Sequence, residues 1–215
     1  MKHILKQQEP QLFTKWKTKA QHTYERFVKA SATDEASPKK VVKDALLKEQ
    51  GYICCYCERR ISSLDSHFEH FRPKSDPSVD PLDFTNLLCS CIKELSAGDP
   101  SHCGYSKKDW FDEHYLVSPL DPNCEKRFSY TADGEISPTD PTDEAAKQTI
   151  SKLKLGIQNL TERRRLIIQQ LHDDIDLLSP EEFQKFIAGY LERDTHGMFG
   201  EFWTTIKYLY EHRDL

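Results

Sequence analysis

No apolar run in this 215-residue chain approaches the ~20 residues needed to cross a bilayer, which argues against a transmembrane helix. Met1 to Pro10 is polar and basic and lacks the apolar stretch of a secretory signal, so the expectation is a cytoplasmic protein. No repeat and no low-complexity tract appears. An overall basic balance is missing too: 30 Lys/Arg stand against 35 Asp/Glu, a net charge of −5, which is not the charge of a nucleic-acid coat. Positive charge is nonetheless concentrated early, with 11 Lys/Arg against 6 Asp/Glu in residues 1–49, and a protein acting on phosphates needs only a local positive path. An even cysteine set is also lacking. Seven cysteines in a reducing compartment do not make a disulfide framework. All but Cys124 lie between positions 54 and 103, too clustered for scattered core thiols, so metal ligation is the better reading.

The fold class expected is α+β, a mostly helical chain with an embedded metal-braced module. Three segments follow from the patterning: helices over 1–50, the cysteine-rich module and a following hairpin over 51–137, and a helical region over 138–215. Phe13, Trp16, Ala20, Tyr24 and Phe27 predict one helix over 11–29. Ser37-Pro38 starts a second, which Gly51 stops. Asp133-Gly134 marks a turn between strands at Phe128-Tyr130 and Glu135-Ile136. Ile150, Leu153, Ile157, Leu160, Ile167, Leu171, Ile175 and Leu178 keep one apolar stripe, suited to packing within the chain or against a partner. Ser179-Pro180-Glu181-Glu182 is a capping box that opens a helix carrying Phe183, Phe186, Ile187 and Tyr190, which Gly197 and Gly200 break. Phe202 and Trp203 begin a last helix and are a second docking candidate, although plain core is the simpler reading of both the stripe and this pair.

Residues 52–110 hold too few apolar side chains for an ordinary core, so a metal is a plausible brace. Structural zinc wants four thiolates or imidazoles in a tetrahedron. Cys54 and Cys57 form a C-x2-C knuckle; the second pair comes from Cys89, Cys91 and Cys103, with Cys91 and Cys103 chosen because one ends a strand and the other opens a helix. Cys55 and Cys89 are then spare thiols. Between the cysteine clusters sits Glu69-His70. Phosphodiester hydrolysis needs an activated water and a cation to offset charge on the phosphate. A neutral imidazole at His70 can take the proton, and Glu69 can hold a divalent ion, Mg or Mn. Adjacent strand residues face opposite ways, so both serve one site only at a strand end, which Pro73 supports. Asn86 can fix the histidine-bearing loop by bonding its backbone. Arg72, Lys74, Lys107 and Lys108 supply cations for phosphate. His67 and His102 are secondary candidates. A non-cleaving, zinc-stabilised module that binds nucleic acid or protein is the alternative, and it would need none of Glu69, His70 and Asn86.

The array C-x-Y-C, E-H-F-R-P-K, N-L-L-x-S-C and H-C-G-x-x-K resembles the HNH, or ββα-metal, endonucleases. It is most similar to the PtuB-type proteins of Septu and retron-associated anti-phage systems, over roughly residues 38–137. The resemblance implies a hairpin and helix wrapped on one catalytic divalent ion, beside a structural zinc on Cys54, Cys57, Cys91 and Cys103. It implies His70 as general base, Glu69 as the acidic position before it, Asn86 as the middle asparagine and Lys107 as the lysine after the last cysteine. It further implies a PtuA-type ATPase oligomer as partner, a nucleic-acid substrate (DNA, or RNA such as tRNA), and in retron versions a reverse transcriptase with its RNA/DNA product. One position departs from the pattern. Many zinc-braced HNH sequences carry His or Asn directly after the last cysteine, where it helps hold the catalytic ion, and here that residue is Gly104. His102 or Asp109 would be the substitutes.

Overall fold

The computed structural model describes residues 1–19, 21–92, 100–175 and 178–210, without the side chains of 174 and 175. Ala20 and the Ile175 side chain, both assigned above to apolar faces, therefore lie outside the described residues. Among the described residues the fold is α+β, with eight helices and two separate two-stranded antiparallel sheets. No helix there is long and apolar enough to cross a membrane.

The single helix expected over 11–29 is two, α1 (Gln11–Lys17) and α2 (Tyr24–Lys29). The Phe13 and Phe27 rings meet at 5.4 Å. Fourteen residues of unbroken helix would hold them ~21 Å apart, so burying both against one core requires a reversal. His22 makes it, stacking on Trp16 at 4.2 Å with Nδ1 2.6 Å from the Trp16 carbonyl. Thr23 then caps α2 through the Arg26 amide.

Helix α3 (Pro38–Gln50) runs as its Pro start and Gly stop predict. Gly51 sits at φ 64°, and a Cβ there would lie 2.2 Å from the Phe199 ring, so both conformation and space demand glycine. The helix is tied to strands β1 (Ser66–His70) and β2 (Leu87–Cys91), which pair with Ser66 opposite Cys91 and His70 opposite Leu87. Gln50 bonds both the amide and the carbonyl of Cys89, at 2.7 and 2.9 Å, and the Lys43 ammonium reaches the Ser66 carbonyl at 3.1 Å. A short helix α4 (Gly104–Lys107) closes the module.

The hairpin β3 (Phe128–Tyr130) with β4 (Ile136–Pro138) forms one residue later on its second arm than expected. The long apolar stripe is not one helix. Helix α5 (Glu144–Lys152) stops at Leu153, Lys154 turns to φ 51°, and α6 (Gln158–Ile175) restarts. The break sends both Leu153 and Leu155 into the core and frees the Leu153 carbonyl to accept the Cys103 amide at 2.8 Å. Helix α7 (Pro180–Leu191) carries the expected Ser179/Glu182 capping box but ends before Gly197. Helix α8 (Trp203–Tyr210) follows.

The main core draws residues from Met1 to Leu160, across all three sequence segments, and a second joins α6, α7 and α8 around Ile168, Phe183, Ile187 and Tyr210. Phe202 and Trp203 are buried and most of the stripe is packed within the chain, so both are core, the simpler of the two readings open to them. Solvent-facing polar groups on those helices leave the apolar side chains no other way to escape water than inward.

Candidate active site and metal centre

The Cys54-Cys57 knuckle turns sharply through Glu58, which has φ 63°. The turn lets the Cys54 sulfur accept the Cys91 amide at 3.3 Å and brings the Cys57 sulfur 3.7 Å from that of Cys91. Cys103 joins from the mouth of α4. The four sulfurs all lie within 4.8 Å of one another and all four residues are buried. Sulfurs ~2.3 Å from one tetrahedral zinc stand ~3.8 Å apart, so the donor set fits zinc. The protonation pattern agrees. Burial pushes thiols up, yet hydrogen bonds from Cys103, Cys55 and Cys57 hold Cys54 well below the thiol range, while Cys91 and Cys103 are driven well above it. Four thiolates crowded in a dry pocket repel one another, and a divalent cation is what lets all four lose their protons. Cys55 and Cys89 stand outside the cluster, and burial lifts Cys89 to about 11, an ordinary core thiol.

Along β1 lies an open groove of about 320 Å³, lined by Tyr24, His67, Glu69, His70, Lys74 and Asp109 among others. His70 is the last residue of β1, the strand-end placement that lets two adjacent residues share a site. Its Nε2 lies 3.0 Å from the Pro81 carbonyl. A carbonyl only accepts, so Nε2 carries the hydrogen and Nδ1 keeps a lone pair. Burial, with the Lys74 charge nearby, lowers the imidazole below its ordinary value of 6.5, although the Pro81 bond acts the other way. His70 is therefore a neutral base at pH 7.

Glu69 is buried. Its Oε1 accepts from the Tyr56 hydroxyl at 2.9 Å and from the Lys107 ammonium at 3.0 Å. Burial pushes this carboxyl up, but His67 and Lys107 together outweigh it and hold the group below the usual range. Glu69 is thus a carboxylate with Oε2 still uncommitted to Tyr56 or Lys107. Asn86, buried in the turn before β2, clamps the Arg72 backbone from both ends: Oδ1 accepts its amide at 2.8 Å and Nδ2 donates to its carbonyl at 2.9 Å. That is the loop-fixing role expected of it, and it leaves Asn86 a positioning residue.

Lys107 departs from the expectation that it binds phosphate. Its side chain is 1% exposed, and it donates to the His70 carbonyl at 2.9 Å as well as to Glu69. A buried ammonium must have partners, and these hold the two site residues in place. Lys74 and Lys108 line the groove instead, and Arg72 is half exposed beside it, within 3.4 Å of Asp76. His102 is not the replacement ligand on this side. Its Nδ1 lies 3.1 Å from the Cys103 sulfur and 3.7 Å from that of Cys91, so it belongs with the four-sulfur cluster. Asp109 does line the groove. Tyr56 received no role from sequence reasoning although it stands inside the C-x-Y-C motif, because only the folded chain brings it to Glu69.

Gly104 has a steric reason. A Cβ there would lie 2.3 Å from Glu69 Oε2 and 2.6 Å from His67 Nε2. Glu69 cannot retreat without breaking its bonds to Tyr56 and Lys107. Gly104→Ala is expected to cost about 1–3 kcal/mol through overpacking, or about 2–4 °C in thermal midpoint for each kcal/mol at this chain size. A calorimetric midpoint equal to that of the parent chain would mean that the carboxylate is free to move.

No family model matches the chain. Over 148 residues it is 33% identical to a protein of Vibrio cholerae serotype O1 biovar El Tor named "Retron Vc95 putative HNH endonuclease", a span of 66% of this chain and 70% of that protein. In this chain Glu69 and His70 end β1, and the sulfurs of Cys54, Cys57, Cys91 and Cys103 cluster. Identity at this level over two thirds of both sequences reflects a shared fold, and the chain belongs to the HNH endonuclease family.

Proposed function

We propose that this protein is a metal-dependent endonuclease that hydrolyses phosphodiester bonds in nucleic acid. The observation that carries the reading is the His70 imidazole, neutral, oriented by the Pro81 carbonyl and set beside the Glu69 carboxylate on a groove that Lys74 and Lys108 also line. His70 Nδ1 takes a proton from a water as that water's oxygen bonds to phosphorus and the bridging P–O bond breaks. Lys107 holds the His70 backbone, and Asn86 holds the loop that follows it. Lys74 and Lys108 draw the phosphate in. A divalent ion such as Mg or Mn, held by Glu69, would supply charge stabilisation at the phosphate. The zinc centre fixes β2 and α4 and has no chemical part. The groove continues through Tyr24, His67 and Phe68 into a second hollow edged by Lys39 and Lys40, an aromatic and basic surface of the kind that tracks a strand.

The biological reading is that of a toxic effector in anti-phage defence, acting with a PtuA-type ATPase oligomer. The name of the Vibrio relative supports a retron setting, with a reverse transcriptase and its RNA/DNA product as further partners. Both DNA and RNA such as tRNA are candidate substrates. The test is a gel assay on labelled DNA and RNA with the purified protein and its complex. Cleavage is expected to require added Mg or Mn and to stop with a chelator at concentrations that leave zinc bound. Because His70 sits below its ordinary value, its base form persists as acid is added, and the acid limb of the rate profile should fall below pH 6.5. Absence of cleavage of either nucleic acid by the complex would refute the reading.

A further inference from the structure

We infer that His67 is the second protein ligand, beside Glu69, of the divalent ion at the groove; the inference rests on the nuclease reading of that groove. His67 and Glu69 are two apart on β1 and so share a face. His67 Nε2 stands 3.5 Å from Glu69 Oε2, the carboxylate oxygen that Tyr56 and Lys107 leave unused. The other ring nitrogen, Nδ1, lies 2.8 Å from the Ile92 carbonyl. Since a carbonyl only accepts, Nδ1 carries a hydrogen, and Nε2 is the ring nitrogen left to face Oε2.

Nε2 and Oε2 face each other across 3.5 Å, two ligand atoms placed to bracket one cation. A charge-assisted N–H···O contact would instead close to ~2.7–2.9 Å. Two ligand atoms ~2.1 Å from one ion stand ~3.0 Å apart at a right angle and ~3.4 Å apart at a tetrahedral angle, and the observed 3.5 Å is within reach of either with slight closure. A backbone carbonyl bonded to the far nitrogen is also the usual way in which a metal-binding histidine is oriented. The Tyr105 ring packs edge-on against the imidazole at 5.8 Å and 89°, fixing its plane. Gly104 completes the arrangement. Any side chain there would push into the space against Nε2 and Oε2, so this chain supplies its imidazole from the strand and keeps the helix position bare.

The test titrates the zinc-loaded 215-residue protein with Mn²⁺. Free ion is followed by EPR, and pulsed EPR detects nitrogen bound to manganese. The parent protein is expected to show that nitrogen signal. His67→Ala should abolish it and weaken Mn²⁺ binding by at least the ~10–100-fold that loss of an outer-shell partner alone costs, and Glu69→Gln should weaken binding too. Equal affinity in His67→Ala, survival of the nitrogen signal in that variant, or no nitrogen signal in the parent would each overturn the assignment. Zinc content and circular dichroism check that the variant folds; if it does not, the signal of the parent alone decides. Failure of the nuclease reading looks different: manganese bound with its nitrogen signal, and no cleavage of DNA or RNA.

Discussion

His70→Ala is expected to lower phosphodiester cleavage by about 10²–10⁴-fold, the usual contribution of a positioned general base, with zinc content and thermal midpoint close to those of the parent. The separation of the two effects follows from how the residue is held. Lys107 bonds the backbone carbonyl of His70, and β1 pairs with β2 through backbone as well, so neither depends on the imidazole. The ring makes one hydrogen bond to Pro81 and an edge contact with Tyr24 at 5.5 Å. Removing it deletes the Nδ1 lone pair that takes the proton and leaves the Glu69 carboxylate and the groove cations in place. Cleavage rates on DNA and RNA with the metal in excess would measure this. Parent-like rates would remove His70 from the mechanism while leaving the fold description intact.

The second large effect is on the fold. Cys57→Ser is expected to bring zinc per chain clearly below the parent ratio and to shift much of the protein into the insoluble fraction. Structural zinc contributes ~10–16 kcal/mol of apparent binding free energy in small zinc modules, comparable to the ~5–15 kcal/mol that holds a whole domain together. Losing one thiolate gives up part of that and leaves three buried thiols crowded round a poorly held ion. The cluster joins the knuckle, the end of β2 and the start of α4, so its loss also loosens Gly104 against Glu69. Cys89→Ser is the comparison, since Cys89 is buried but lies outside the four-sulfur set. It should keep its zinc. Metal analysis and soluble yield of the two variants decide the matter, and full zinc in Cys57→Ser would remove that residue from the ligand set.

Much of the site was legible because it is written in local spacing. The C-x2-C knuckle, the strand-end histidine before Pro73, and the Pro38 and Gly51 limits of α3 each depend on a few neighbouring residues and on backbone geometry that those residues dictate. The breaks after Lys17 and Lys152 were not legible. Both are set by what the chain packs against afterwards: Phe13 must meet Phe27, and Leu153 must turn its carbonyl to Cys103. The apolar pattern continues through each break, so periodicity alone reads straight on. Phe202 and Trp203 likewise carry no mark in the sequence that tells core from docking surface.

The sequence by itself determined the chemistry on offer: thiolates enough for a zinc, a carboxylate and an imidazole side by side, and cations near them. Those are properties of residue type and short separation. Tertiary structure alone decided how each charge is used. Lys107 is drawn inward to neutralise a buried carboxylate and so is not the phosphate contact that its position suggests, and His102 turns to the sulfurs. The helix position at Gly104 is bare because His67 and Glu69 already fill the space in front of it. Burial and distance between residues far apart in the chain set these outcomes, since the cost of an unpaired charge depends on what surrounds it and not on which residue carries it.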